Sequence, residues 1–329
     1  KSADDLAKKI GIPESSPFRI EAGILFVLSD ASQQGHCALT TTQCVQQCAK
    51  CLSLEPEIIK PVIDYCIKEQ SIIQETIEDT EYLLTPELNK AELEVTKHVK
   101  RFLSKPWKAL DHDSDQIIKS IEFKLNMTFS FSQKEAIKMA TQYKMSIITG
   151  GPGVGKTTLI RALVSIIEQY SGTLQLCAPT GRAAKRLTES TQRQATTIHR
   201  LLGIDPDTKA FKHDKSNPLK ASYLIVDEAS MIDIKLAKDL LAALPNHAGI
   251  LWVGDIDQLP SVGPGNLLSD LIHSERIPTT RLTDIFRQAA SSQIITNAHR
   301  VNDSKMPIAQ QNPNSDFFIR YCNSTDLMI

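Results

Sequence analysis

Residues 150–158 read GGPGVGKTT, a glycine-rich turn that ends in a lysine and two threonines. The string fits G-x-x-x-x-G-K-[ST] in full, and the chemistry it serves is phosphate capture. Glycines let backbone N–H groups turn inward around phosphate oxygens, and the N-terminus of a following helix adds its dipole. Gly151, Pro152, Gly153, Val154, Gly155, Lys156, Thr157 and Thr158 are the expected nucleotide cradle. Lys156 is placed to reach the β- and γ-phosphates, and the Thr157 hydroxyl to ligate Mg2+. About seventy residues on, YLIVDEAS (223–230) closes an apolar run with two adjacent carboxylates. Asp227 suits the Mg2+ shell, and Glu228 suits orienting and deprotonating an attacking water. The two motifs together imply hydrolysis of a nucleoside triphosphate, with ATP the expected one. A third cluster, CVQQCAKC (44–51), has the C-x3-C-x2-C spacing by which radical-SAM enzymes hold an iron–sulfur cluster.

The elements that must carry these residues fall into two patterns. From residue 129 onward, short β runs alternate with helical stretches: MSIITG (145–150), TLQLCAP (173–179), YLIVDE (223–228) and GILWVGD (249–255). Each ends in a Gly, Pro or acidic residue, the arrangement of a parallel sheet covered on both faces, with ligands at the carboxyl ends of its strands. Before residue 104, apolar positions recur at helical spacing through 20–29, 43–52 and 57–69, and SIIQETIEDTEYLLT (71–85) reads as a hairpin around Glu78–Asp79–Thr80. Pro86 opens a longer helix over 87–103. Helices followed by a small hairpin make a winged-helix-like pattern. The expected division is a mainly helical, winged-helix-like domain at 1–104, a linker at 105–128 with a proline and an acidic polar run, and an ATPase domain at 129–329.

On a helix, Cys44, Val45, Cys48, Cys51 and Leu52 fall within one apolar stripe. A rise of 1.5 Å per residue separates Cys44 from Cys51 by roughly 10 Å along the axis, awkward for one compact cluster. Free cysteine behaves as a small hydrophobe, so the motif is expected to be a buried, reduced core seam with no iron–sulfur cluster. Seven cysteines among 329 residues, an odd number, favour a reducing compartment over a disulfide framework. No apolar run reaches the ~20 residues of a membrane helix, and no signal peptide precedes the first polar residues. The chain opens at Lys1, as in a segment of a longer cytoplasmic protein. Residues 1–128 hold 15 basic and 20 acidic side chains, and residues 129–329 hold 22 and 18. A nucleic-acid site is therefore expected to be local and in the second part.

FSQKEAI (131–137), the GGPGVGKTT loop, APTGRAAKRL (178–187), TIHRLLG (197–203), LIVDEASMID (224–233), VGDIDQLPSVGPG (253–265) and LTDIFRQ (282–288) follow one another in order. In this order the set resembles the motifs of superfamily 1 DNA helicases, specifically the RecD-like branch with a long N-terminus and similar to the alpha subunit of exodeoxyribonuclease V. The resemblance covers residues 129–310 and implies a RecA-like sheet. It implies that Gln133 reads the adenine edge, Gln258 senses the γ-phosphate and Arg287 acts as an arginine finger. Phe286 is implied either to stack on adenine or to fill the core. Thr180 and Arg182, and with them Thr197 and His199, are implied to lie along single-stranded DNA. Arg182, Lys185 and Arg186 recur at i, i+3 and i+4, so one helix face is basic.

Such motors close a second RecA-like domain over the nucleotide. Its Gln-Gly-x-Glu-like and Ala-Leu-Thr-Arg-like strings do not occur in these 329 residues. The chain is expected to be one motor half plus an accessory domain, with the second domain and single-stranded DNA as partners, and recombination or repair proteins beyond them. The helicase portion of a conjugative relaxase, and a nucleotide-gated DNA-binding module without unwinding, fit the same residues. The 5′→3′ polarity is implied by the resemblance alone.

Overall fold

Apolar stripes at helical spacing and one tight hairpin build the first 85 residues. The protein is described here by a computed structural model that covers residues 2–104, 107, 114–170, 172–205, 207–208, 210–284, 292–309 and 315–319. Helix α1 (Ser2–Lys9) turns through Gly11 at φ 81° into α2 (Pro17–Gln33). Strand β1 (Leu39–Thr40) precedes α3 (Thr41–Leu52), which starts on a reciprocal cap between Thr40 and Gln43. After α4 (Pro56–Lys68), β2 (Ile73–Ile77) and β3 (Thr80–Leu84) pair antiparallel, with β1 on the far side of β3. Glu78 and Asp79 both take positive φ, 46° and 62°, the two-residue turn whose twist matches that of the strands.

Ile24, Cys44, Cys48, Ile59, Ile63 and Leu83 share one buried cluster, so the α3 stripe does face a core. Cys51 departs from the expectation and is exposed. It sits at the edge of the stripe, where α3 turns from α2 to solvent, while the inward row runs Cys44, Val45, Cys48 and Leu52. Replacing Cys44 or Cys48 by alanine is expected to cost about 1–2 kcal/mol through the lost packing, and replacing Cys51 close to nothing. Urea unfolding of the three single variants checks the difference.

Helix α5 (Pro86–Ser104) follows the hairpin, and α6 (Ser114–Leu125) and α7 (Phe131–Gln142) lead into a six-stranded sheet. Its strands are β4 (Met145–Thr149), β5 (Leu174–Ala178), β6 (Ala195–Thr197), β7 (Tyr223–Val226), β8 (Gly249–Gly254) and β9 (Thr279–Arg281). Every pairing is parallel and the order is β6-β5-β7-β8-β4-β9. Between the strands run α8 (Lys156–Tyr170), α9 (Gly181–Thr191), α10 (Ile198–Leu202), a 3-10 turn (Ala229–Met231), α11 (Ile234–Ala243) and α12 (Leu267–His273), and α13 (Gln293–Asn302) follows β9. Alternation sends Ile147, Leu224, Ile250 and Trp252 to one core and Ile148, Ile225, Leu251 and Val253 to the other. This is the two-face burial of a parallel α/β sheet.

Leu88, Ala91, Val95 and Phe102 of α5 belong to the first of these cores, against α11. Arg101 donates to the carbonyls of Leu241 (2.8 Å) and Leu244 (3.1 Å) at the end of α11. Helix α5 thus joins the N-terminal unit to the sheet by packing as well as by chain. A second junction is the bond from Gly265 N–H to the Gly35 carbonyl, 3.0 Å.

Candidate nucleotide and DNA site

The carboxyl ends of β4, β7 and β8 bring the predicted chemistry together. After β4 the loop turns through Gly153 and Gly155 at φ 79° and 81°, where a side chain would be strained. It delivers Lys156 to the first turn of α8. The Lys156 ammonium donates to the carbonyls of Gly150 and Gly151 and lies 4.0 Å from Asp255 Oδ2. Asp255, at the end of β8, is 1% exposed. Its carboxylate also accepts from Asp257 N–H (3.1 Å) and from Gln258 Nε2 (3.2 Å). Lys156, Asp255 and Gln258 are one polar chain, in which the lysine and the glutamine are both residues expected at the nucleotide and Asp255 is the link between them.

Asp227 and Glu228 close β7. Asp227 Oδ1 accepts from the Glu228 N–H at 2.9 Å. Glu228 takes φ 52°, a conformation that costs a non-glycine residue of order 1 kcal/mol. Its Oε2 is buried without a protein hydrogen bond. Burial, then the charge of Glu228, pushes the Asp227 carboxyl up to about 6, against the Glu228 N–H, Lys156 and Arg186. The folded value lies above the ordinary aspartate value of 3.8. The ionised carboxylate therefore costs stability, a cost absent below about pH 4 and complete above about pH 6. Asp227→Asn is expected to stabilise the nucleotide-free protein at pH 7–8 by up to about 3 kcal/mol. Melting curves across pH check it: the gain over wild type should vanish toward pH 4.

Gln133 lies under this loop. It is 1% exposed, caps α7 with Ser130, and donates from Nε2 to the Val154 carbonyl at 3.4 Å. The residue that sequence reasoning gave to adenine is thus also a helix cap and a tie to the phosphate loop. Next to it, Ser132 Oγ donates to Asp284 at 2.6 Å. Asp284 stands three residues before Arg287 in LTDIFRQ. Asp284 had not been singled out, and no local pattern in the sequence marks it. Phe286 and Arg287 lie outside the described residues. Thr157 is exposed in the first turn of α8, with Thr158 partly buried beside it.

The expected DNA residues gather on the neighbouring strands. Ala178 of β5 pairs with Thr197 of β6, so the segments beginning at Thr180 and Thr197 leave the same edge of the sheet. Both threonines cap the helices that follow, accepting from Ala183 N–H and Arg200 N–H at 3.2 Å each. Arg182, Lys185 and Arg186 are exposed on α9, with Lys185 3.9 Å from Glu189. His199 is exposed, and its ring lies 5.8 Å from that of Phe211. Among the described residues no helix is long and apolar enough to cross a membrane.

The sheet and loop define a P-loop domain of the RecA-like kind, and the family model described as AAA domain matches residues 133–264. The model described as ATP-dependent RecD2 DNA helicase HHH domain matches residues 1–38. That match was not expected. The chain is 42% identical over 178 residues to the ATP-dependent RecD2 DNA helicase of Deinococcus radiodurans, covering 54% of this chain and 24% of the relative. It is 37% identical over 164 residues to the RecBCD enzyme subunit RecD of Mycolicibacterium smegmatis, covering 43% and 30%. A crystal structure of Pif1 helicase from Candida albicans overlaps 55% of this chain and 45% of its own at 24% identity, with a TM-score of 0.42. Within the P-loop proteins, the matched regions of this chain are similar to RecD and RecD2 helicases. The matched region spans 24% and 30% of the length of these two curated relatives.

Proposed function

We propose that the chain is the first motor half of an ATP-dependent DNA helicase or translocase that works on single-stranded DNA. The reading includes 5′→3′ movement, a cytoplasmic role in recombination or repair, and a second RecA-like domain that completes the site. The observation that carries it is the convergence of Lys156, Asp227 and Glu228 at the ends of β4 and β7, the two strands that flank β8, beside the exposed basic face of α9, which follows the neighbouring β5. The order β6-β5-β7-β8-β4 supports a division of labour, with the nucleotide at β4, β8 and β7 and the DNA at β5 and β6.

The donor set fits Mg2+. Asp227 Oδ1 accepts from a backbone N–H, and Thr157 is exposed in the first turn of α8. Hard oxygen donors of this kind suit Mg2+ with water and phosphate completing its shell. When bound, the ion neutralises charge on the β- and γ-phosphates. Gln133 meets the adenine edge by exchanging its bond to Val154. Gln258 reports the γ-phosphate through Asp255, and Arg287 supplies the transition-state charge, with Phe286 beside it. Residues 1–104 act as the accessory unit, linked to the motor by α5.

Mg-ATP hydrolysis by a protein carrying both motor halves is expected to rise on adding single-stranded DNA. Arg182→Ala is expected to weaken DNA binding several-fold and to lower the salt slope of the affinity by about one. A protein that hydrolyses ATP indifferently to DNA, and binds none, overturns the reading.

A further inference from the structure

The phosphate loop is gripped from outside as well as inside. His299 of α13 places Nε2 3.1 Å from the Pro152 carbonyl, and that nitrogen donates. The same ring explains a glycine that conformation does not. Gly153 and Gly155 need their positive φ, whereas Gly151 has none. A Cβ at Gly151 would come within 2.8 Å of His299 Cε1. Gly151 is therefore small because the imidazole packs against it.

Helix α13 is built for this contact rather than for a core. Its one fully buried residue is a polar one, Asn297, which clasps the backbone of Ile308 with two hydrogen bonds at 2.8 and 2.7 Å. Ser292 and the Gln293 N–H tie its N-terminus to Asp316. Anchored at both points, the helix presents His299 to the loop.

Lys156 holds the Gly150 and Gly151 carbonyls from the other side. A phosphate that takes the ammonium must take it from those two carbonyls, and His299 then still holds the turn through the next carbonyl. We propose that His299 is a positioning residue for the nucleoside triphosphate: it keeps the first turn of the loop in its binding shape when Lys156 transfers to the phosphates. The proposal rests on the nucleotide-binding reading given above.

The test uses the full chain and a fluorescent ATP analogue. His299→Ala is expected to weaken binding about fivefold or more, the worth of one hydrogen bond and its contact. His299→Gln, whose Nε2 can donate the same bond, should retain most of the affinity. Gly151→Ala should lose binding, and adding His299→Ala to it should restore binding to the level of His299→Ala alone. Melting temperatures of the nucleotide-free single variants should stay near wild type, which separates positioning from support of the fold. If His299→Ala binds like wild type, or the double variant gains nothing over Gly151→Ala, the proposal is wrong. If wild type binds no nucleotide, or Lys156→Ala binds as well as wild type, the nucleotide reading itself has failed.

Discussion

Replacing Glu228 by glutamine is expected to leave ATP binding within about twofold of wild type and to slow hydrolysis by about 10²–10⁴-fold, the usual worth of a general base. Two features of the site support that split. The Glu228 backbone is held at φ 52° with its N–H bonded to Asp227, so the substitution changes neither the turn nor the carboxylate beside it. Its Oε2 is buried and bonded to no protein group, which leaves it for a water. Buried acceptors are nearly always satisfied, and the strained backbone is the kind of local cost that persists at functional positions. A glutamine amide still orders that water but takes no proton from it. Single-turnover hydrolysis and analogue binding, measured on the protein with both motor halves, decide the matter. Turnover within tenfold of wild type, or a folded variant that no longer binds ATP, removes Glu228 from the role.

The motifs were legible because each is punctuation at a strand end, where local composition and tertiary position coincide. MSIITG, TLQLCAP, YLIVDE and GILWVGD became β4, β5, β7 and β8 within a residue or two of their expected bounds. Strands β6 and β9, three residues each, were not legible. They are edges held by pairing with β5 and β4 and lack an apolar run of their own. The polar links were likewise hidden. Nothing in one sequence says that Asp255 reaches Lys156, that Asp284 reaches Ser132 or that His299 reaches Pro152, since each bond joins residues about 100 to 150 positions apart. The cysteine stripe shows the opposite limit. Helical periodicity placed Cys44 and Cys48 inward correctly, but a stripe edge is set by the neighbouring helix, and Cys51 fell outside it.

Replacing Lys156 by alanine should abolish hydrolysis, because among the described residues no other ammonium stands at the loop, and it should also lower the stability of the nucleotide-free protein. The second effect follows from Asp255. Its carboxylate is 1% exposed and the Lys156 ammonium, 15% exposed, is 4.0 Å away. Removing one partner of a well-formed buried ion pair costs about 3–5 kcal/mol. Here the separation is long, and Asp255 keeps its bonds from the Asp257 N–H and Gln258, so a smaller loss of about 1–2 kcal/mol is expected. Pairing Lys156→Ala with Asp255→Asn removes the stranded charge while leaving its hydrogen-bond acceptor. The double variant should therefore regain most of the stability and none of the hydrolysis. Urea unfolding of the two single variants and the double, alongside phosphate release from Mg-ATP, separates the two roles. Near wild-type phosphate release by Lys156→Ala would reject the phosphate-loop assignment outright. Equal stability of Lys156→Ala and wild type would show that Asp255 is sustained by its hydrogen bonds alone, and that the lysine is held at the site for the nucleotide rather than for the fold.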